Sequence, residues 1–162
     1  MLRYQILPTP CGPLRLAIDS IGLARVDFMD EGMTTPDDWT QDSGALAPYI
    51  QQFSEWFAGS RQQFDLPLSL HGTEFQRAAW LALAEIPYGQ TCSYGEQAAK
   101  LGRPRAVRAI GAANGRNPLP IILPCHRVIG RDGSLTGYAG GLDRKRWLLA
   151  HETAHARDHH GA

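Results

Sequence analysis

A mixed α/β (α+β) fold in two parts is what this sequence predicts, and three observations carry the prediction. Short β-leaning runs separated by turn signals fill the first thirty residues. Helical periodicity, with matched start and stop signals, recurs from Ala45 onward. Charge is also unevenly divided: the net is −5 over residues 1–70, +6 over 71–147 and −1 over 148–162, inside a total of zero. A chain of 162 residues can bury a core without staples, as one domain or two small ones.

In chain order, "YQIL", "LRLAI" and "LARVDF" read as a β-meander, punctuated by "PTPCGP" and "DSIG". "MDEGMTTPDDWTQDSG" reads as an acidic loop. "ALAPYIQQFSEWFAGS" follows, with Leu46, Ile50, Phe53 and Phe57 on one helical face and Gly59 as the stop. "FDLPLSLHG" is extended and crosses into the second part, with the boundary near His71 and Gly72. Thr73 and Gln76 form a capping box ahead of "EFQRAAWLALAEI", which Pro87 ends. Ser93 and Glu96 form a second, opening a short helix that Gly102 stops. Pro104 stands where a first-turn proline belongs, starting "PRAVRAIGAANG", so two short helices joined by "GR" make a helix-turn-helix. Asp132-Gly133 between β-type runs suggests a hairpin, or wing, and Asp143 opens a last helix, "DRKRWLLAHE". The predicted division is 1–70, 71–153 and a flexible, histidine-rich tail over 154–162.

No run approaches the length of a membrane span and no secretory leader is visible, so no membrane partner is expected. Cys11, Cys92 and Cys125 are too few and too scattered for a disulfide framework, which points to the cytoplasm and to thiols left reduced. A basic half fused to an acidic half suits one half facing phosphates, although such swings also arise on ordinary solvated faces.

The chemistry centres on "ILPCHRVIG". A thiol attacks as thiolate, so a base must take its proton. His126 is adjacent to Cys125, yet neighbours on a strand point to opposite faces; contact needs a kinked backbone, which Pro124 favours, or a bridging water. The pair could equally be a buried small residue beside a core histidine. Cys11 lies in a turn with no titratable neighbour, and Cys92 precedes a helix start that could lower its pKa, with no base adjacent. "HETAH" (residues 151–155) matches the helical zinc-protease pattern, but only seven residues follow to supply a third ligand, and coincidence is the better account.

"NPLPIILPCHRVIG", with "GYAGG" and "WLLAHE" downstream, resembles the O6-alkylguanine-DNA alkyltransferases. The resemblance covers the second half from "FQRAAW" to Glu152 and is looser before it. It implies a ribonuclease H-like N-terminal support domain and a C-terminal domain of winged helix-turn-helix type that carries the active site. Cys125 is then the alkyl acceptor, His126 the base acting through a water, Glu152 the carboxylate that orients it, and Asn117 the hinge to the helix pair. Arg108 is implied as the finger that fills the base stack, beside Arg105 and Ala106 on the DNA-facing element. Tyr94 is implied to help rotate the nucleotide out and to donate to the leaving base. Tyr138, Ala139, Val128 and Pro124 would line the guanine pocket. The implied partner is double-stranded DNA containing O6-alkylguanine, with O4-alkylthymine left open. The chain would act once, as a monomer, with cooperative loading on DNA left open. It would need no cofactor, and no zinc is expected because the first half holds only Cys11 and no histidine before His71. Ala139 stands where some relatives carry a polar side chain, which removes one donor to O6. An alkylated-DNA binding module with an idle thiol and a cysteine hydrolase are the remaining alternatives.

Overall fold

The computed structural model describes residues 2–156, and contacts divide the chain into two compact units after His71. In the first unit, β1 (Arg3–Leu7), β2 (Leu14–Ile18) and β3 (Leu23–Phe28) form the antiparallel meander, with Tyr4 opposite Ala17 and Leu14 opposite Phe28. Central β2 is buried on both faces: Leu14 and Leu16 on one and Ala17 on the other are fully buried. The acidic loop contains one element that the sequence concealed. Thr40 and Gln41 form β4, which pairs parallel to β1 and closes the order β3-β2-β1-β4.

Arg15 tethers the acidic loop. Its guanidinium donates to Asp27, to the Thr34 carbonyl and to Thr35 Oγ1, and it lies over the Trp39 ring. The first helix, α1 (Ser43–Ala58), is capped by Asp42 and stopped by Gly59, whose φ of 83° is open to glycine without strain. It packs on β1 and β2 through Leu46, Phe53 and Trp56, while Ile50 and Phe57 are only half-buried. "FDLPLSLHG" contributes one parallel bridge, Leu68 to Leu23, rather than a strand.

The second unit is helical. Both capping boxes form, Thr73–Gln76 before α2 (Glu74–Leu83) and Ser93–Glu96 before α3 (Tyr94–Lys100). The helix predicted from Pro104 starts later: α4 is Val107–Gly115. Pro104 instead follows Arg103 in a turn closed by the Ala106 N–H on the Arg103 carbonyl, a proline position with the same φ as a first helical turn. Arg105 therefore sits in the turn and not on the helix. Ala79, Ala98, Ile110 and Ala113 pack α2, α3 and α4 together. Gln97 and Asn114 exchange amide hydrogen bonds at 3.0 and 2.8 Å, which fixes α3 against α4 with no buried polar atom of that pair unmet.

The expected wing hairpin does not form. Asp132-Gly133 lies in a turn closed by Gly130 and Ser134, but the next segment, 135–138, is not a strand. The preceding strand β6 (Val128–Ile129) pairs instead with β5 (Cys92–Ser93), in parallel. The last helix, α5 (Leu142–His155), runs beyond Glu152, so Ala154 and His155 are helical rather than part of a tail; the rest of the predicted tail, from Arg157, lies outside the described residues. No helix among the described residues is long and apolar enough to cross a membrane.

Candidate active site

The segment between α4 and β6 is folded back on itself by Asn117. Its Oδ1 accepts from the Leu119 N–H at 2.9 Å, and its Nδ2 donates to the Leu123 carbonyl at 2.6 Å. Between them Ile121 adopts φ 79°, a left-handed conformation unfavourable for a β-branched residue, held by the burial of Leu119, Ile121 and Leu123. The chain then tightens into a 3-10 turn, Cys125–Arg127, ahead of β6. Consecutive side chains on this turn do not alternate between faces as they would on a strand.

Cys125 is 8 % exposed and lies on a cavity of about 320 Å³. Tyr94, Gly111, Asn114, Thr136, Tyr138 and Ala139 are among the other residues that line it. The Tyr94 hydroxyl meets Thr136, accepting from its Oγ1 at 3.2 Å. Tyr138 and Ala139 line this cavity. Pro124 and Val128 do not: both are buried, one leading into the turn and the other pairing with Cys92 in β6, and neither lines the cavity.

Behind the cavity lies a charged cluster. Glu152 and His126 are both fully buried, and His126 Nε2 is 2.8 Å from Glu152 Oε2. Burial alone would push the Glu152 carboxyl up, but the hydrogen bonds and charges of His126 and Arg127 hold it down at about 2. An ionised carboxylate only accepts, so Nε2 carries the imidazole proton and Nδ1 is the basic nitrogen. Burial pushes the His126 pKa down, against the pull of Glu152. Burial likewise pushes the Cys125 thiol up to about 11, against the Asn117 side chain and the Lys145 ammonium, which act the other way. The resting pair is therefore a neutral thiol and a neutral imidazole.

Two cations of this cluster were not picked out from the sequence. Arg127 forks onto Glu152, with Nε 2.9 Å from Oε1 and Nη2 2.7 Å from Oε2, and Nη1 donates to the Ile86 carbonyl at 2.5 Å. Lys145 is fully buried, and its ammonium donates to the Val128 and Thr136 carbonyls at 2.6 and 2.7 Å, tying the cavity loop to β6. A signal for Lys145 existed: Lys145, Leu148 and Glu152 follow one helical face, so its place inside the run "DRKR" was inward.

Arg108 is exposed on α4, Arg105 is exposed in the preceding turn, and Ala106 is half-buried as the N-cap between them. The zinc-protease pattern is broken up. Glu152 faces His126 and Arg127, while His151 stacks on Trp147 with ring centroids 4.8 Å apart and His155 Nδ1 meets the His151 carbonyl. Cys92 is buried, and burial and Glu96 push its thiol up, so the helix start does not make it a thiolate.

Comparison with known proteins identifies the family. Residues 2–70 match the ribonuclease-like domain of 6-O-methylguanine DNA methyltransferase, and residues 74–154 match its DNA binding domain. A methylated-DNA--protein-cysteine methyltransferase of Methanosarcina barkeri is 47% identical over 156 residues, 95% of this chain and 99% of that one. The crystal structure of Mycobacterium tuberculosis O6-methylguanine methyltransferase superimposes with a TM-score of 0.88 at 47% identity, covering 96% of this chain and 94% of that one. A second structure of the Mycobacterium tuberculosis protein, in complex with DNA, matches with the same TM-score over 94% of each chain. With a ribonuclease-like N-terminal unit, a DNA-binding C-terminal unit and a cavity lined in part by a cysteine, this chain belongs to the 6-O-methylguanine DNA methyltransferase family.

Proposed function

We propose that this protein repairs DNA by direct reversal, moving the alkyl group of O6-alkylguanine onto Cys125 and acting once per molecule. The observation that carries the reading is the Cys125 thiol on an open cavity, backed by the His126–Glu152 pair. The base must leave the duplex to reach it, which costs a few kcal/mol. Arg108, exposed on α4, fills the vacated stack, and Arg105 and the Ala106 turn meet the backbone beside it. Residues 1–70 support residues 71–153, which bind and react; the protein works as a monomer in the cytoplasm.

In the reaction His126 Nδ1 takes the thiol proton, directly or through one water, and Glu152 stabilises the imidazolium. Sulfur attacks the alkyl carbon in line, the S–C bond forms, and the C–O6 bond breaks with its electron pair passing to guanine. The base takes one proton from the Tyr94 hydroxyl as it leaves, and the proton held on His126 passes back through water to the tyrosine oxygen, so that the proton lost by the thiol is in the end the one gained by guanine. The product thioether has no easy route back to a thiol.

Incubation with a duplex containing O6-methylguanine is expected to add one methyl, about 14 Da, to the peptide carrying Cys125, and nothing further with excess substrate. Turnover would indicate a hydrolase-like enzyme; tight binding without a mass gain would indicate a binding module. Arg108→Ala is expected to slow duplex repair about 100-fold, the kinetic equivalent of a few kcal/mol of base extrusion. Its reaction with free O6-benzylguanine should be unchanged. Equal losses on both substrates would remove Arg108 from the flipping step.

A further inference from the structure

We propose that Arg127 is a positioning residue for alkyl transfer: by forking onto Glu152 it stops that carboxylate from making His126 an imidazolium, so the imidazole rests neutral and can take the thiol proton. The inference rests on the reading above, in which His126 is the base. It assigns a task to a buried cation that this mechanism leaves unused.

Geometry carries the argument. The same oxygen, Glu152 Oε2, receives His126 Nε2 at 2.8 Å and Arg127 at 2.7 Å from Nη2 and 3.1 Å from Nε. Oε1 receives Arg127 Nε at 2.9 Å and the Gly89 N–H at 3.4 Å. The carboxylate is thus already neutralised by a full charge at contact distance before the histidine is considered. All three side chains are closed off from solvent, at 0%, 7% and 1% exposure for His126, Arg127 and Glu152, so the charges are weakly screened.

Consider the same site without the guanidinium. A buried histidine facing a lone buried carboxylate gains most by taking a proton, because a desolvated anion needs a counter-charge. The imidazolium–carboxylate pair that results is stable and has no basic nitrogen left to offer. With Arg127 in place, a proton on His126 would put a second cation on one carboxylate, with the buried Lys145 ammonium as a third in the cluster. Glu152 remains ionised and keeps orienting the ring through Nε2, while its power to charge that ring is reduced. Both Arg127 and Lys145 act to lower the His126 pKa, after burial and against Glu152.

The groups around the imidazole come from four elements. Glu152 and Lys145 stand on α5. Arg127 and Cys125 stand on the same 3-10 turn as His126. The segment after α2 supplies the Ile86 carbonyl, the Gly89 N–H and the Tyr88 ring, whose centroid is 5.6 Å from the guanidinium carbon. The segment after α4 supplies Asn117, which bears on Cys125. None of these besides Glu152 adds negative charge at neutral pH. Arg127 is therefore the group that decides how much of the carboxylate's charge the histidine feels. Its bond to Ile86 is a structural tether, and that role alone would leave the protonation of His126 untouched.

The test is a nitrogen-15 titration of the histidines in the full chain, paired with the pH profile of methyl uptake in a single turnover. In the wild-type protein His126 should remain the neutral Nε2–H tautomer between about pH 6 and pH 8. In Arg127→Met its midpoint should rise by about one to two pH units, the scale set by a charge within a few ångströms. The acid limb of methyl uptake should move up with it. Arg127→Lys, which keeps the charge, should hold both near the wild-type position. An imidazolium at neutral pH in the wild-type protein overturns the proposal, and that measurement decides the matter even if Arg127→Met does not fold. An unmoved midpoint in a folded Arg127→Met also overturns it, as does a lysine variant displaced as far as the methionine one. The two readings fail separately. A chain that takes up no methyl yet titrates as described loses the repair function and keeps the Arg127 effect. A chain that takes up methyl with His126 indifferent to Arg127 loses only this inference.

Discussion

Replacing Cys125 by alanine is expected to abolish methyl uptake completely while leaving the fold and duplex binding in place. The substitution removes one sulfur atom from the edge of a cavity, at a stability cost of about 1 kcal/mol. It touches none of the bonds among His126, Glu152 and Arg127, and the Cys125 N–H still meets the Leu123 carbonyl. Intact mass and peptide mapping read the first outcome, and fluorescence anisotropy on duplex DNA reads the second. Cys92→Ala should take up methyl like the parent, because the Cys92 thiol is also pushed up by burial and lines no part of the cavity. The parent protein's pH profile adds a sharper discrimination. With burial pushing the thiol up to about 11, only a small fraction of it is thiolate at neutral pH. Reliance on that resident fraction would make the rate climb tenfold per pH unit far into the alkaline range. Removal of the proton by His126 during the reaction would instead give a rate that levels off once the imidazole is neutral.

What was legible in the sequence was what depends on near neighbours. The capping boxes at Thr73 and Ser93 need partners only three residues on, and both form. The meander and α1 follow from periodicity bounded by turn signals, and the stop at Gly59 from its left-handed backbone. Where two local structures share one backbone angle, the pattern misled: Pro104 suits a first helical turn and the second position of a β-turn equally well, and the turn was realised. Pairings between distant residues left no trace. The parallel match of Cys92–Ser93 with Val128–Ile129 replaces the wing and starts α3 so that Tyr94 reaches the cavity. Two-residue strands such as β4 are too short for alternation to register. Among the site residues, Cys125, His126, Asn117 and Glu152 were brought into view by a resemblance, and the structure puts the first three within one folded-back segment. Arg127 and Lys145 escaped because a charged side chain reads as solvated until the structure supplies its buried partners.

Glu152→Ala is expected to cost about 3–5 kcal/mol of stability, the scale for stripping one partner from a buried ion pair, and to eliminate repair in the fraction that remains folded. Three N–H groups on Arg127 and His126 lose their acceptor at once, and the guanidinium is left inside the second unit with only the Ile86 carbonyl and the Tyr88 face. Urea unfolding at neutral pH measures the loss. The pH dependence has a definite sign. The folded carboxyl is depressed from its ordinary 4.5 to about 2, so its contribution is complete above about pH 4.5 and disappears as pH falls toward 2. The alanine variant lacks that acid-sensitive contribution, so its deficit relative to the parent should be full at pH 7 and shrink as both are acidified through that window. A deficit independent of pH would mean that the cost arises from the lost side-chain volume and not from the charge. Glu152→Gln separates the remaining role: it keeps the volume and one acceptor for His126 Nε2, but withdraws the charge that stabilises the imidazolium formed when the thiol gives up its proton. Methyl uptake should then fall with duplex affinity unchanged, and the acid limb of the alkylation profile, set by His126, should move to lower pH because the imidazole has lost the charge that raised its pKa. An unaltered profile in the glutamine variant would show that the carboxylate serves to hold the ring and Arg127 in place, without supporting the proton transfer.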